Sequence, residues 1–378
     1  MHSKILITGG AGFIGSNLTL GLLARGHKVV ILDKLVPQIH GENAENSALY
    51  AQVREKVKFV RGDVTSREDL LQVLPGIDTV VHLAAETGTG QSMYAIKHYS
   101  EVNVGGTALL LDMITNLRFP VRRLVVASSR AVYGEGKYRC VVHGISYPAA
   151  RSDEAMSQGM FDHSCPVCGY GMQMLPTDES SALQPASVYG VTKLTQEQLV
   201  LSVCKALGIS ALAFRYQNVY GPGQSLSNPY TGILSIFSTR IRNGKTVNIF
   251  EDGKESRDFV FIEDVIEATI RGIEHPEPIV EVFNVGSGVA TEVLGVANKL
   301  SGYLGGDAKI IVSGQYRAGD IRHNVADLNK ISQLLGFKPR VSFDDGLSRF
   351  VSWVVGERVD RDRFDESLTE LKAKGLFK

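Results

Sequence analysis

Tyr189 and Lys193 stand four residues apart in SVYGVTKLTQEQL, a strongly helical stretch, so both side chains share one helix face. A tyrosine placed this way can move a proton. Its ordinary pKa of about 10 is too high for a base at neutral pH, and lowering it by about 3 units requires about 4 kcal/mol of preference for the phenolate. Lys193 is one cation able to contribute, although a YxxxK pair alone also arises by chance on surface helices. Upstream, VVASSRAVYG ends a strand-like run in Ser128 and Ser129, whose hydroxyls could meet a substrate oxygen or cap the strand end. Between these stretches Cys140 and His143 form a CxxH, and Cys165 and Cys168 a CxxC, with a glycine directly after each pair. Four sulfur and nitrogen ligands suit a closed tetrahedral zinc site. Three other readings stay open: a redox CxxC, although no thioredoxin-like unit surrounds it, thiols without a role, and His163 in place of His143. Cys204, in LVLSVCKALG, reads as a small core residue.

These groups need a scaffold. KILITGGAGFIGSNLTLGLLARGHKVVILDK reads as a buried strand, a glycine turn, an amphipathic helix and a second strand. Gly9, Gly12 and Gly15 let the turn adopt positive φ and let its backbone approach a pyrophosphate, at which the helix points its N–H groups. Asp33 closes the second strand, where a carboxylate can accept hydrogen bonds from ribose hydroxyls. This is a dinucleotide site and NAD is the expected cofactor. No arginine beside Asp33 welcomes a 2′-phosphate, while Lys34 keeps NADP open. A bound, positively charged nicotinamide would be the second cation near Tyr189. VKFVRGDVTS, IDTVVHLAA and VRRLVVASS read as further buried parallel strands. Asp63, after the third strand, reads equally as an adenine contact and as a turn or cap residue.

The bulk properties narrow the field. A chain of 378 residues can bury a full core and is expected to form two lobes. Forty basic and forty acidic residues cancel, which removes the electrostatic reason to expect nucleic acid or an anionic membrane as partner. No apolar run approaches the roughly 18 residues of a membrane span, the N-terminus lacks a signal-peptide shape, and the cytoplasm is the expected compartment.

The glycine turn, the strand-end serine and YxxxK, in this order, resemble the extended short-chain dehydrogenase/reductases, specifically their nucleotide-sugar epimerases and dehydratases. GGAGFIGS, HLAAE (His82 to Glu86), VNVGGT (Val102 to Thr107), RYQNVYGPGQ (Arg215 to Gln224), RDFVFIEDV (Arg257 to Val265), FNVGSG (Phe283 to Gly288) and RAGDIRH (Arg317 to His323) extend the resemblance along nearly the whole chain. The resemblance implies Ser129, Tyr189 and Lys193 as the catalytic set. It implies tightly held NAD touching Gly9, Gly12, Phe13, Ile14, Gly15, Asp33, Lys34, Asp63, Val64, Leu83, Ala84, Ala85, Asn103, Tyr189, Lys193 and Tyr216. It also implies a diphosphate grip from Asn218, Arg257 and Arg317, where each arginine could instead be a surface ion pair. Dehydratases of this family follow the catalytic hydroxyl with an Asp-Glu pair. This chain has Arg130-Ala131 there, so elimination of water lacks its acid and base, and epimerisation or simple redox remains.

The span from Ser129 to Tyr189 is longer than usual for the family, and the excess holds the CxxH and CxxC pairs. An insert of roughly forty Gly-, Ser- and Pro-rich residues has little core of its own, so zinc would act as a staple rather than a catalyst. With AAETGTGQSMY, NPYTGI and LTELKAKGL, the insert gives a narrower resemblance to dTDP-L-rhamnose 4-epimerases. That resemblance implies interconversion of dTDP-L-rhamnose and dTDP-6-deoxy-L-talose through a 4-keto sugar, with Glu86, Thr87, Gln91, Ser129 and Arg130 near the sugar. A UDP-glucose or UDP-N-acetylglucosamine 4-epimerase, and an NAD(P)-dependent reductase with net redox, stay open. The expected fold is α/β: a Rossmann-type doubly wound parallel sheet with a smaller C-terminal substrate lobe and a zinc-type insert. The expected division assigns 1–136, 179–216 and 258–272 to NAD, 137–178 to the insert, and 217–257 with 273–378 to the sugar nucleotide. The family implies a homodimer, and the charged stretch from Gly356 to Lys374 reads as a solvated C-terminal helix.

Overall fold

A computed structural model describes residues 2–230, 232–358 and 362–378. Its frame is a seven-stranded, fully parallel sheet. The elements that build it are β1 (Lys4–Thr8), α1 (Phe13–Ala24), β2 (Lys28–Asp33), β3 (Lys58–Arg61), β4 (Thr79–His82), α2 (Gly106–Asn116), β5 (Arg123–Ser129), α3 (Val188–Leu207), β6 (Ser210–Tyr216), α4 (Ile262–Ile273) and β7 (Val280–Val285). The strand order is β7-β6-β5-β4-β1-β2-β3, which reverses direction at β1 and β4, as a doubly wound sheet requires. The unbroken apolar runs of the strands follow from burial on both faces. Ile5 and Ile7 pack into one core layer with Ile31, Val81 and Val125, while Leu6 faces the opposite layer with Val30, Leu32, Val80 and Val126.

α3 carries the YxxxK pair. The Ser187 hydroxyl caps its N-terminus by accepting from Gly190 N, and Gly208, in the left-handed region, ends it. Lys193, Gln196, Glu197, Val200 and Cys204 form its buried stripe, and Cys204 lies in the second core layer. A buried bidentate pair from Arg215 to Glu197 (2.5 and 3.0 Å), with Ser128 Oγ donating to the same carboxylate at 2.6 Å, ties α3 to the ends of β5 and β6.

The second body of structure grows from excursions of the same chain. Strands Asn218–Tyr220, Ser256–Phe261, Ala290–Glu292 and His323–Asn324 form a mixed sheet, and Val247–Ile249 pairs in parallel with Ile310–Val312. Their core joins Tyr220, Phe237, Phe261, Val296 and Phe350. The insert is a three-stranded antiparallel sheet centred on Tyr138–Cys140. Arg151 fastens it to the second body through Glu251 (2.8 Å) and the Asp320 carbonyl (3.0 Å), and pairs with Glu135 (3.2 Å) just before the insert.

One departure from the sequence reading concerns the C-terminal part. The helix Phe364–Ala373 is docked rather than freely solvated: Phe364, Ser367 and Leu371 are buried, and Glu370 accepts from both Tyr94 and Tyr230 hydroxyls. Its buried side is only Phe364, Ser367 and Leu371, too sparse to stand out among the charges. Residues 359–361 of that stretch and Thr231 of NPYTGI lie outside the described residues. Among the described residues no helix is long and apolar enough to cross a membrane.

Candidate active site

Where the sheet order reverses, the strand ends open a cavity of about 420 Å³. Its floor begins at the glycine turn. Gly9 has φ 71°, and a Cβ there would stand 2.8 Å from Ala84 N, so the loop after β4 packs directly on the turn. A Cβ at Gly15 would stand 2.2 Å from Gly9 O, and one at Gly12 would stand 3.3 Å from the same oxygen. Gly9 and Gly15 exclude any side chain for reasons of approach, not of flexibility alone. Asp33 closes β2 with Oδ2 accepting from Ala11 N (2.9 Å) and Oδ1 from Leu35 N (2.8 Å). Lys34 pairs with Asp63 at 2.7 Å, which engages the cation otherwise available to a 2′-phosphate. Burial works against the Asp63 charge, but the bonds from Lys34 and Thr65 outweigh it and hold its carboxyl below the usual range.

The proton-transfer group lines the same cavity. Tyr189 and Ser129, the last residue of β5, both line the cavity, and Lys193 Nζ lies 5.9 Å from the Tyr189 ring centroid. Lys193 donates to the Ala127 carbonyl at 3.0 Å. Burial pushes the Tyr189 hydroxyl up, against the pull of Ser129 and Arg130, and pushes Lys193 down to about 7. The protein alone therefore does not ready Tyr189 as a base, and the expected help from Lys193 is weakened by its own desolvation.

The expected contacts divide clearly. Gly9, Gly12, Phe13, Ile14, Gly15, Asp33, Lys34, Asp63, Val64, Leu83, Ala84, Ala85, Glu86, Thr87, Ser129, Tyr189, Lys193, Tyr216 and Asn218 all line the cavity. Asn103, Gln91, Arg130, Arg257 and Arg317 do not. Asn103 is buried behind the wall, bridging Glu86 N, Glu86 O and Thr192 Oγ1. Gln91 accepts from Tyr99 Oη (3.1 Å) and Gln38 Nε2 (3.2 Å). Three of the N–H groups of Arg257 donate to the carbonyls of Ser256, Ile321 and Arg322. Arg317 pairs with Asp320 at 2.8 Å and lies over the Phe250 ring. Gln217 was not singled out by sequence: the residue borders the cavity, and its carboxamide is buried without a hydrogen-bond partner among the described residues. Nothing in its flanking pattern separates it from a strand-end residue.

The insert gathers its four candidate ligands. Cys140 Sγ lies 3.7 Å from His143 Nδ1 and 3.6 Å from Cys168 Sγ, and Cys165 Sγ lies 3.5 Å from His143 Nδ1. A zinc tetrahedron with Zn–S of about 2.3 Å and Zn–N of about 2.0 Å has edges of about 3.8 Å and 3.5 Å, and a disulfide would need about 2.05 Å. Backbone amides of His143 and Val142 point at Cys140 and hold its thiol down to about 6, and amides of Cys168 and Val167 lower Cys165. Gly144 and Gly169 take positive φ directly after each pair. His163 stands apart, paired with Glu135 at 3.0 Å and edge-on to Tyr138.

Residues 5–149 and 149–286 match the model of the NAD dependent epimerase/dehydratase family. The chain belongs to this family. It is 38% identical over 357 residues, 94% of this chain and 95% of the relative, to the dTDP-L-rhamnose 4-epimerase of Burkholderia thailandensis. Among solved structures it resembles the UDP-glucuronic acid 4-epimerase of Bacillus cereus in complex with UDP-glucuronic acid and NAD, at 28% identity, TM-score 0.75 and coverage of 93% and 99%. It equally resembles the UDP-glucose 4-epimerase of Thermotoga maritima with UDP-glucose, at 26% identity, TM-score 0.75 and the same coverage. These relatives are 4-epimerases, which are isomerases, and the chain is an isomerase of this NAD-dependent family with the Rossmann-type sheet that its sequence implied.

Proposed function

We propose that this protein is a nucleotide-sugar 4-epimerase whose substrate pair is dTDP-L-rhamnose and dTDP-6-deoxy-L-talose. The observation that carries the reading is one cavity lined by the glycine turn, Asp33, Ser129, Tyr189 and Lys193, with Arg130-Ala131 where dehydration would need carboxylates. The choice of sugar rests on the 38% identical Burkholderia relative. A UDP-linked sugar is the second reading, favoured by the UDP-glucose and UDP-glucuronic acid complexes of the structural neighbours.

The turn at Gly9–Gly15 and the carboxylate of Asp33 fit a dinucleotide, because the turn has no room for side chains at Gly9 and Gly15 and its glycines line the cavity. Bound NAD supplies the acceptor and later the donor of a hydride at C4. The chain's own residues move the proton. Tyr189 takes it from the C4 hydroxyl, Ser129, in the same cavity wall, orients that oxygen, and Tyr189 returns the proton once the ring has presented its other face. Lys193 fixes the tyrosine end of α3 through Ala127.

Three further parts belong to the same reading. Cys140, His143, Cys165 and Cys168 hold a structural zinc, supported by edge lengths that suit a tetrahedron. The NAD-binding part is 1–136 with 179–216 and 258–272, the insert 137–178, and the remainder holds the sugar nucleotide in the cleft. The enzyme works as a cytoplasmic homodimer, and exposed Leu117, Val191 and Leu207 at α2 and α3 suit the contact.

A substrate carrying deuterium at C4 tests the reaction. The label is expected to stay on the sugar through inversion, with no lasting change in nicotinamide absorbance. Loss of label to solvent, or a stoichiometric absorbance change, would replace the epimerase with a net redox enzyme.

A further inference from the structure

Between β2 and β3 the chain makes a long excursion, and one of its residues, His40, comes back to the cavity beside Asp33. His40 ends the helical turn Pro37–His40, and with Val36, Ile39 and Leu49 it lines the cavity wall. It is 6% exposed, and among the described residues it is the only basic side chain in ion-pair range of the Asp33 carboxylate. Lys34, the cation next in sequence, is taken by Asp63.

The imidazole is held in one orientation with one nitrogen unused. Nδ1 lies 2.9 Å from Ser47 Oγ, and that oxygen also caps the helix Ala48–Arg54 by accepting from Tyr50 N. Nε2 lies 3.8 Å from Asp33 Oδ1, beyond hydrogen-bond range, and has no other partner among the described residues. It is not cut off from solvent as the unpaired carboxamides of Gln217 and Asn324 are, so it keeps accessible surface in a residue of the cavity wall. Burial lowers the His40 pKa more than the Asp33 charge raises it, so the ring is neutral at pH 7 and carries one N–H. That proton belongs on Nε2. A bare Nε2 lone pair would face the carboxylate and be repelled, whereas the Ser47 hydroxyl has its own proton to give to Nδ1.

Asp33 has matching capacity left. Each of its oxygens takes one backbone N–H, from Ala11 and from Leu35, which leaves about two of the four lone-pair sites of a carboxylate open. The cavity wall therefore presents an N–H donor and a charged acceptor 3.8 Å apart, neither satisfied by the other. An oxygen about 2.8 Å from each atom fits that spacing, provided it accepts from one and donates to the other. A hydroxyl does both, whereas a carbonyl or a phosphate oxygen has no proton to give Asp33.

We infer that His40 is a second contact of the cofactor's adenosine ribose, its Nε2–H donating to the same hydroxyl that donates to Asp33. The inference rests on the reading of the glycine turn and Asp33 as an NAD site, and adds a residue which that reading leaves out. Asp33 alone holds a hydroxyl from one side. His40 fixes where the oxygen lies, so the pair selects a group that both accepts and donates. A phosphate on that ribose oxygen would bring negative charge to Asp33 with no proton to offer it, and Lys34 is already engaged, so the arrangement favours NAD over NADP. Ser47 is the positioning residue, holding the ring by Nδ1.

Cofactor competition on the holoenzyme tests this directly. The protein is equilibrated with equal, excess amounts of NAD and an analogue lacking either the 2′- or the 3′-hydroxyl of the adenosine ribose, and the bound nucleotides are counted by mass spectrometry after release. Wild type is expected to favour NAD over one of the two analogues about 10- to 100-fold, because that analogue leaves Asp33 and His40 both unanswered. H40F should cut this preference about 3- to 10-fold, and H40Q, which keeps an N–H donor near Nε2, should restore most of it. A merely structural histidine would lower the melting temperature or the NAD content without changing the choice between two cofactors that differ by one oxygen. Unchanged preferences in H40F against both analogues, or a loss that H40Q leaves in place, overturns the role of His40. Wild-type protein that prefers NAD over neither analogue overturns the ribose reading of Asp33 as well, a different result from a variant that behaves like wild type.

Discussion

Replacing Tyr189 with phenylalanine removes one oxygen from the centre of the proposed chemistry. The structure says that the fold should tolerate this. Ser129 Oγ still accepts from Ala131 N at 3.2 Å, and Lys193 keeps its bond to the Ala127 carbonyl. The cost in stability is therefore at most that of one hydrogen bond, about 0.5–1.5 kcal/mol. The glycine turn and Asp33 are untouched, so NAD content should not change. The cost in rate is larger. A positioned acid–base contributes about 10²- to 10⁴-fold, which at about 1.4 kcal/mol per decade is roughly 2.7–5.5 kcal/mol of activation free energy. Burial raises the Tyr189 pKa, so the wild-type rate should climb with pH as the phenolate becomes accessible, and the residual rate of Y189F should not follow it. The assay is conversion of the nucleotide sugar followed by NMR across a pH series, with bound NAD and the melting temperature measured on the same preparations. A folded, NAD-loaded Y189F whose kcat stays within tenfold of wild type would refute the assignment of Tyr189 as the proton carrier.

Other parts of the account are open to equally direct checks. Glu197→Gln leaves Arg215 buried without its carboxylate, and urea denaturation should register a loss of about 3–5 kcal/mol. Burial, aided by the Lys193 charge, lowers His82 to about 3, so the unfolded chain binds the proton first. Stability should rise with pH between about 3 and 6.5; at pH 5 the loss from His82 is about 2 kcal/mol, and urea melts of H82Q should show a flatter acid limb. Metal analysis should find one zinc per chain, and Cys165→Ser should lose it and melt at lower temperature while keeping NAD; a full zinc complement in that variant would contradict the ligand set.

Much of the site was legible because its signals are local. The turn from Gly9 to Gly15, the carboxylate at the end of β2 and the YxxxK spacing on α3 each depend on residues within a few positions of one another. The CxxH and CxxC pairs were legible for the same reason, and it took the structure to show that His143 lies with the three cysteines while Glu135 pairs with His163. Pairings over long separations were not legible. Arg257 matches a family position, yet its hydrogen bonds run to carbonyls sixty-odd residues away, at Ile321 and Arg322. Nothing local in the sequence pairs Arg215 with Glu197. Gln217 carries no periodic or compositional mark, and only its buried, unpaired carboxamide distinguishes it.

The central claim is that this chain inverts C4 of a nucleotide sugar with a cofactor it already holds. Proton NMR of the purified protein incubated with dTDP-L-rhamnose, with no nicotinamide added, tests it in one step. The account predicts conversion to dTDP-6-deoxy-L-talose. No conversion of that sugar, with or without added NAD, would contradict the proposed substrate and turn attention to UDP-linked sugars.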